Sequence, residues 1–114
     1  MSTNDSKEIG YHIEELLLLP QDEPDESEDY EFNNGVDLYT TSFLMIFDKD
    51  ALRIAYLAKL MILEHYQDAP CSHIQKFKFK NIEFWAVSTL SKNLTKCGAS
   101  WYWGSITFML ASEY

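Results

Sequence analysis

Seven carboxylates fall within ten residues of this chain, at Asp22, Glu23, Asp25, Glu26, Glu28, Asp29 and Glu31, and they form the only constellation dense enough to suggest chemistry. They sit inside a longer window, Glu8 to Asp48, that holds twelve acids and no lysine or arginine. Through residue 50 there are fourteen acids against Lys7 and Lys49, and beyond it seven bases against four acids, so halves of −12 and +3 make up the net charge of −9. A block of one sign creates a strong local potential that repels nucleic acid and attracts proteins with basic grooves. Successive phosphates on a DNA strand lie roughly 6 to 7 Å apart, which carboxylates at alternate or helical spacing approximate. Held in order, such carboxylates meet arginines, lysines and backbone N–H groups already arranged for phosphate. Glu14 and Glu15 extend the candidate array.

Other chemistries lack their residues. His12, His65 and His73 are scattered without metal-ligand spacing or a paired nucleophile, and no phosphate-cradling glycine loop or nucleophile elbow occurs. Two carboxylates that do glycoside chemistry must face each other across a cleft, whereas these lie in one hydrophilic run. The run also lacks the spacing and glycine of a calcium loop. Cys71 and Cys97 have no CxxC or histidine-rich context and read as reduced thiols. Lys76, Lys78 and Lys80 share one strand face but read as edge protection in a chain this acidic. The expectations are therefore no enzyme, no cofactor, no metal and no direct binding of nucleic acid.

Only a folded scaffold can hold these acids in a fixed array. At 114 residues, 46% hydrophobic and 15% aromatic, the chain suits one domain with a modest core. With no long apolar run and no leader-like N-terminus, it is expected to be a cytoplasmic protein without membrane attachment. Asp5 and Glu8 stand at capping-box spacing, and Ile9, Ile13, Leu16 and Leu17 recur at helical intervals, which predicts a helix over about 5–19 that Pro20 ends. Residues 20–35 carry two prolines and an Asn-Asn-Gly turn signal, and read as a short exposed acidic helix or an ordered loop, with a solvated segment as the competing reading. Tyr30 and Phe32 are placed to pin its far end to the core.

Val36 to Phe47 is rich in β-branched and aromatic residues and predicts a strand, mostly over its second half. Asp48 or Asp50 then caps a central helix, ALRIAYLAKLMILEHYQ, apolar on most of its circumference. From Ile74 the period becomes two, and a turn at Asn81 implies a hairpin whose return strand puts Ile82, Phe84 and Ala86 on one face and Glu83, Trp85 and Val87 on the other. Ser100 to Leu110 closes the order as a last strand. The fold class is α+β: a small single domain spanning 1–114, with a mixed or antiparallel sheet of about four strands and helices packed on one face.

Residues 11–28 resemble the start of the staphylococcal-type uracil-DNA glycosylase inhibitors: Tyr11-His-Ile-Glu-Glu-Leu-Leu-Leu-Leu-Pro20-Gln-Asp-Glu, then Asp25-Glu26-Ser27-Glu28, match an amphipathic helix ending in Leu-Pro before an acidic stretch. The later order is similar too, with a long apolar helix ending at Tyr66, an aromatic hairpin, and a closing strand with Ile106-Thr107-Phe108-Met109-Leu110. The resemblance implies a non-enzymatic DNA mimic that blocks the DNA-binding groove of uracil-DNA glycosylase in a 1:1 complex. It also implies a hydrophobic pocket that receives the enzyme's DNA-intercalating leucine. Glu26 and Glu28 fall where that family places acids after its Leu-Pro, with Asp22 and Glu23 directly behind the proline. Trp101, Trp103 and Met109 are the pocket candidates, sheet core being the competing reading, and the lysine-rich strand departs from the family pattern. The alternatives are a DNA mimic against a restriction or CRISPR nuclease, and an immunity protein that neutralises a basic toxin nuclease.

Overall fold

A computed structural model describes residues 15–24, 28–33, 36–67, 69–92 and 104–114. Its core is a mixed five-stranded sheet, β1 (Leu16–Leu18), β2 (Val36–Tyr39), β3 (Ile74–Phe79), β4 (Ile82–Ser88) and β5 (Ser105–Leu110), in the order β1-β3-β4-β5-β2. Three pairings are antiparallel, and β2 runs parallel to β5. Two helices, α1 (Thr41–Phe47) and α2 (Ala51–Tyr66), cover one face. The domain is α+β, as the residue pattern implies, with β1 as a fifth strand.

The period-2 pattern of the central strands sets the layers. Phe77 and Phe79 of β3, Phe84 and Ala86 of β4, and Ile106 and Phe108 of β5 are buried under the helices. Between them Lys76, Lys78, Trp85, Val87, Thr107 and Met109 face the other side and are only partly covered. Lys80 and Asn81 both adopt positive φ, 49° and 67°, the geometry of the two-residue turn whose twist suits a hairpin. They join Phe79 and Ile82, which are paired in register.

Two predicted elements differ. Leu16–Leu18, expected in the helix over 5–19, is an edge strand paired antiparallel with Phe77–Phe79, and residues 5–14 of that expectation lie outside the described residues. The buried side chain here is Leu16 alone, while Leu17 is 53% exposed, so alternation and not a helical stripe decides its state. The strand predicted over Val36–Phe47 ends at Tyr39. Thr40 is extended, at φ −71° and ψ 155°, and its Oγ1 accepts a hydrogen bond from the Phe43 N–H at 3.2 Å, capping α1. Phe43 and Phe47 then stand four residues apart and bury together against the sheet. Asp48, expected as a cap for the central helix, instead closes α1 at a positive φ of 49° and donates its N–H to the Leu44 carbonyl. Asp50 occupies the N-cap position of α2 without a side-chain capping bond.

Phenylalanine rings fill the space between the layers. Phe84 meets Phe43 and Phe47 edge-on, at centroid distances of 5.4 and 5.5 Å, and stacks on Phe77 at 5.3 Å. Tyr39 stacks on Phe108 at 5.6 Å and so ties edge strand β2 into the cluster. The same strand is held from the helix side, where Lys59 Nζ donates to both Asp37 carboxylate oxygens at 2.8 and 3.1 Å. At the other end of the chain Glu113 accepts from the Leu110 N–H and the Thr40 hydroxyl, both at 2.8 Å, so the final turn braces the residue that caps α1. These bonds hold the Glu113 carboxyl below its usual range, the Leu110 N–H contributing most.

Two outcomes follow. Phe84→Ala empties the centre of a fully buried ring cluster and lowers unfolding stability by about 3–5 kcal/mol, read from urea denaturation. Because Glu113 has a depressed folded pKa, its contribution is present at neutral pH and is lost as pH falls through that value. The difference in Tm between wild type and Glu113→Gln is therefore largest near neutrality and shrinks below about pH 4.

Candidate functional site

Between β1 and β2 the chain must travel from one edge of the sheet to the other, and the acidic segment makes that crossing. It passes the end of the sheet at which β3 and β5 begin and β4 finishes. An irregular segment lying on a folded surface needs partners for its backbone polar groups, and here these come at both ends. The Leu19 N–H donates to the Lys76 carbonyl at 3.0 Å. Gln21 then takes the place of a strand neighbour: its Oε1 accepts from the Lys76 N–H at 2.8 Å, and its Nε2 donates to the Lys76 carbonyl at 2.7 Å and to the Leu19 carbonyl. Further on, the N–H groups of Tyr30 and Glu31 donate to the Cys71 and Leu90 carbonyls at 2.9 and 2.8 Å. The Lys92 N–H donates to the Asp29 carbonyl, and the Ser88 hydroxyl to that of Glu31. Phe32, 2% exposed, inserts below this second anchor.

The result is an acidic belt pinned at Leu19–Gln21 and Asp29–Phe32. Of the two structured readings of residues 20–35, the described parts take the ordered loop; residues 21–24, 28 and 29 belong to neither helix nor strand.

Its carboxylates divide into two groups. Glu28 Oε2 lies 2.9 Å from His73 Nδ1, Asp29 Oδ1 lies 3.2 Å from Lys92 Nζ, and Glu31 Oε2 accepts from the Asn33 N–H at 2.9 Å. The side chains of Glu28 and Asp29 are only 21% and 24% exposed, so both are turned toward the protein. Asp22 is 66% exposed and touches Lys76 at 3.2 Å, while Glu23 is exposed and, among the described residues, enters no ion pair. Glu15 makes only a 3.9 Å approach to Lys80. Asp25 and Glu26 lie outside the described residues. Outward negative charge on the described belt thus concentrates at Asp22 and Glu23, the Glu28 and Asp29 side chains hold the belt to the scaffold, and the Glu31 carboxylate bonds only within its own segment, to the Asn33 N–H.

The aromatic candidates divide as well. Trp101 and Trp103 lie outside the described residues. Met109 is on the face of the sheet opposite the helices, in register with Trp85, which is in register with Lys76. Lys76 Nζ stands 5.1 Å from the centre of the Trp85 ring, and the tilted Tyr114 ring lies 5.0 Å from it, centroid to centroid. A continuous row therefore leads from Asp22 through Lys76 and Trp85 to Met109. Sequence reasoning did not select Trp85 or Tyr114, although the alternation of β4 already places Trp85 opposite the core.

On the helix side of the belt a crevice of about 20 Å³, bordered by Tyr30, Phe32, Ile62, Tyr66 and Cys71, has room for one water and not for a side chain. Burial pushes the Cys71 thiol up to about 12, which leaves it neutral and poorly nucleophilic at physiological pH. Among the described residues no group of three or more histidines, cysteines or carboxylates can hold a metal ion, and no helix is long and apolar enough to cross a membrane.

No protein-family model, curated protein or solved structure matches this chain.

The first anchor joins the Leu19 N–H bond to those of one side chain, Gln21. Gln21→Ala removes its bonds to the Lys76 backbone and costs about 1–2 kcal/mol. Hydrogen exchange at the Lys76 amide accelerates accordingly, while amides at the second anchor, such as Glu31, change less.

Proposed function

We propose that this protein is a non-enzymatic inhibitor that presents its acidic belt to the basic DNA groove of a nucleic-acid enzyme. The observation that carries the proposal is the pinning of the belt at both ends by main-chain and Gln21 hydrogen bonds. A free acidic tail loses conformational entropy on docking, whereas a belt already anchored to a sheet loses less and presents its charges in a defined place. Uracil-DNA glycosylase is the first target to test, because residues 11–28 resemble its inhibitors. That resemblance is carried by the residues Leu-Pro and the acids after them, since Leu16–Leu18 is a strand and not the end of a helix.

In this reading Asp22 and Glu23 take phosphate positions, with Asp25 and Glu26 continuing the series. Charge speeds encounter and orients it, and shape-matched apolar contact adds affinity and selectivity. The row from Lys76 through Trp85 to Met109 supplies such contact beside Asp22. Free nucleic acid is disfavoured by the net charge of −9.

The test is inhibition of uracil excision by purified protein. Near-stoichiometric inhibition is expected, and undiminished excision in excess inhibitor sinks the glycosylase assignment. Asp22→Lys combined with Glu23→Lys is expected to weaken inhibition at least about tenfold, with the loss falling mainly on the association rate and diminishing as salt rises. Reversing Glu28 is a poorer probe, because it also breaks the contact with His73 that secures the belt.

A further inference from the structure

The outward side of α2 is apolar where an exposed helix face is ordinarily polar. Leu52, Tyr56, Leu60 and Leu63 are 60%, 52%, 38% and 36% exposed. At 100° per residue they fall within an arc of about 80°, opposite the buried Ile54, Ala58 and Ile62. The stripe is about 16 Å long. Arg53 and Glu64 lie together along one flank of it, near its two ends, both exposed. Neither enters an ion pair or hydrogen bond among the described residues.

We infer that this face is the interface of a homodimer, in which α2 packs antiparallel against α2 of a second copy. The charges choose the occupant. A two-fold axis through the middle of the stripe places each flank against the same flank of the other copy, with the direction reversed. Arg53 of each chain then faces Glu64 of the other, so one operation closes two ion pairs and buries both apolar stripes. The centre of the Arg53–Glu64 span, between Ala58 and Lys59, lies within about one residue of the centre of the stripe, so a single register satisfies both.

On the other flank the axis sets Lys59 against Lys59 of the other copy, but Asp37 already pairs with it at 2.8 Å, so charge does not oppose this packing locally. Residues 48–66 hold Lys49, Arg53 and Lys59 against Asp48, Asp50 and Glu64, three of each sign, whereas the chain as a whole carries −9. The helix is thus the part of an acidic protein on which two copies meet with little repulsion. The inference is independent of the inhibitor proposal, since it uses no belt residue.

Sedimentation equilibrium of the full chain across the micromolar range tests it, with circular dichroism to confirm folding. Wild type is expected to be dimeric. Arg53→Glu and Glu64→Arg each set like charges opposite one another and are expected to raise the dimer dissociation constant at least about tenfold. The doubly substituted chain restores opposite charges and is expected to return to within about threefold of wild type. Both residues are exposed and, among the described residues, unpaired, so folding survives and the swap isolates the contact. A monomeric wild type overturns the inference, and so does a double variant no tighter than the single ones. A chain that dimerises only after removal of residues 1–14 overturns it as well, because the chain's own N-terminal segment is then the occupant.

Discussion

The fold depends on one packing constraint: a shell of phenylalanine rings must be closed between a sheet and a helix only seven residues long. Helix α1 is too short to persist on propensity alone, so Phe43 and Phe47 account for its stability through their contacts with Phe84, Phe79 and Phe108. Aromatic rings suit this task because few side chains fill much volume and edge-to-face contacts fix their orientation. Thr40, the residue after the strand, caps the helix that starts at Thr41, and this timing sets both rings against the sheet. Had the chain remained extended through Phe47, alternation would have sent some of its large apolar side chains away from the core.

How far the sequence revealed this architecture varied with the strength of its local signals. Helix α2 and the β3–β4 hairpin were legible, one from a long apolar segment followed by proline and the other from lysines alternating with phenylalanines. The Leu16–Leu18 strand was not, because a run of four leucines fits a helix stripe and a strand equally well and only pairing with Phe77–Phe79 decides. In Val36–Phe47 the β-branched and aromatic composition outweighed a real cue, Thr40-Thr41-Ser42 before two phenylalanines four residues apart. Of the candidate site, the acidic stretch was visible in outline. Which acids point outward was not, because His73 and Lys92, the residues that draw Glu28 and Asp29 inward, lie 45 and more positions away in sequence.

That division has a physical logic. A dense carboxylate run repels itself, and a few long-range partners relieve the repulsion where the chain must lie close to the protein. Asp22 and Glu23 keep their charge exposed. The belt therefore combines two tasks that a uniform acidic helix would have to separate: adhesion to its own scaffold and display of charge. The sheet face opposite the helices adds a third element, as Lys76 links the exposed Asp22 to the Trp85 ring and spreads a mixed ionic and aromatic surface toward Met109.

The belt's route also fixes an order of events as the polypeptide emerges during synthesis. Strand β1 hydrogen-bonds to residues 77–79 and β2 to residues 105–108, so neighbours in sequence become opposite borders, each waiting for a partner made much later. No early local hairpin can form from the acidic half. Its long-range pairings must await three central strands made later, a topology that slows folding through loop closure. Before those strands are made, Leu16–Leu18 and Val36–Tyr39 have no sheet partner, and the surrounding negative charge disfavours their pairing with other copies.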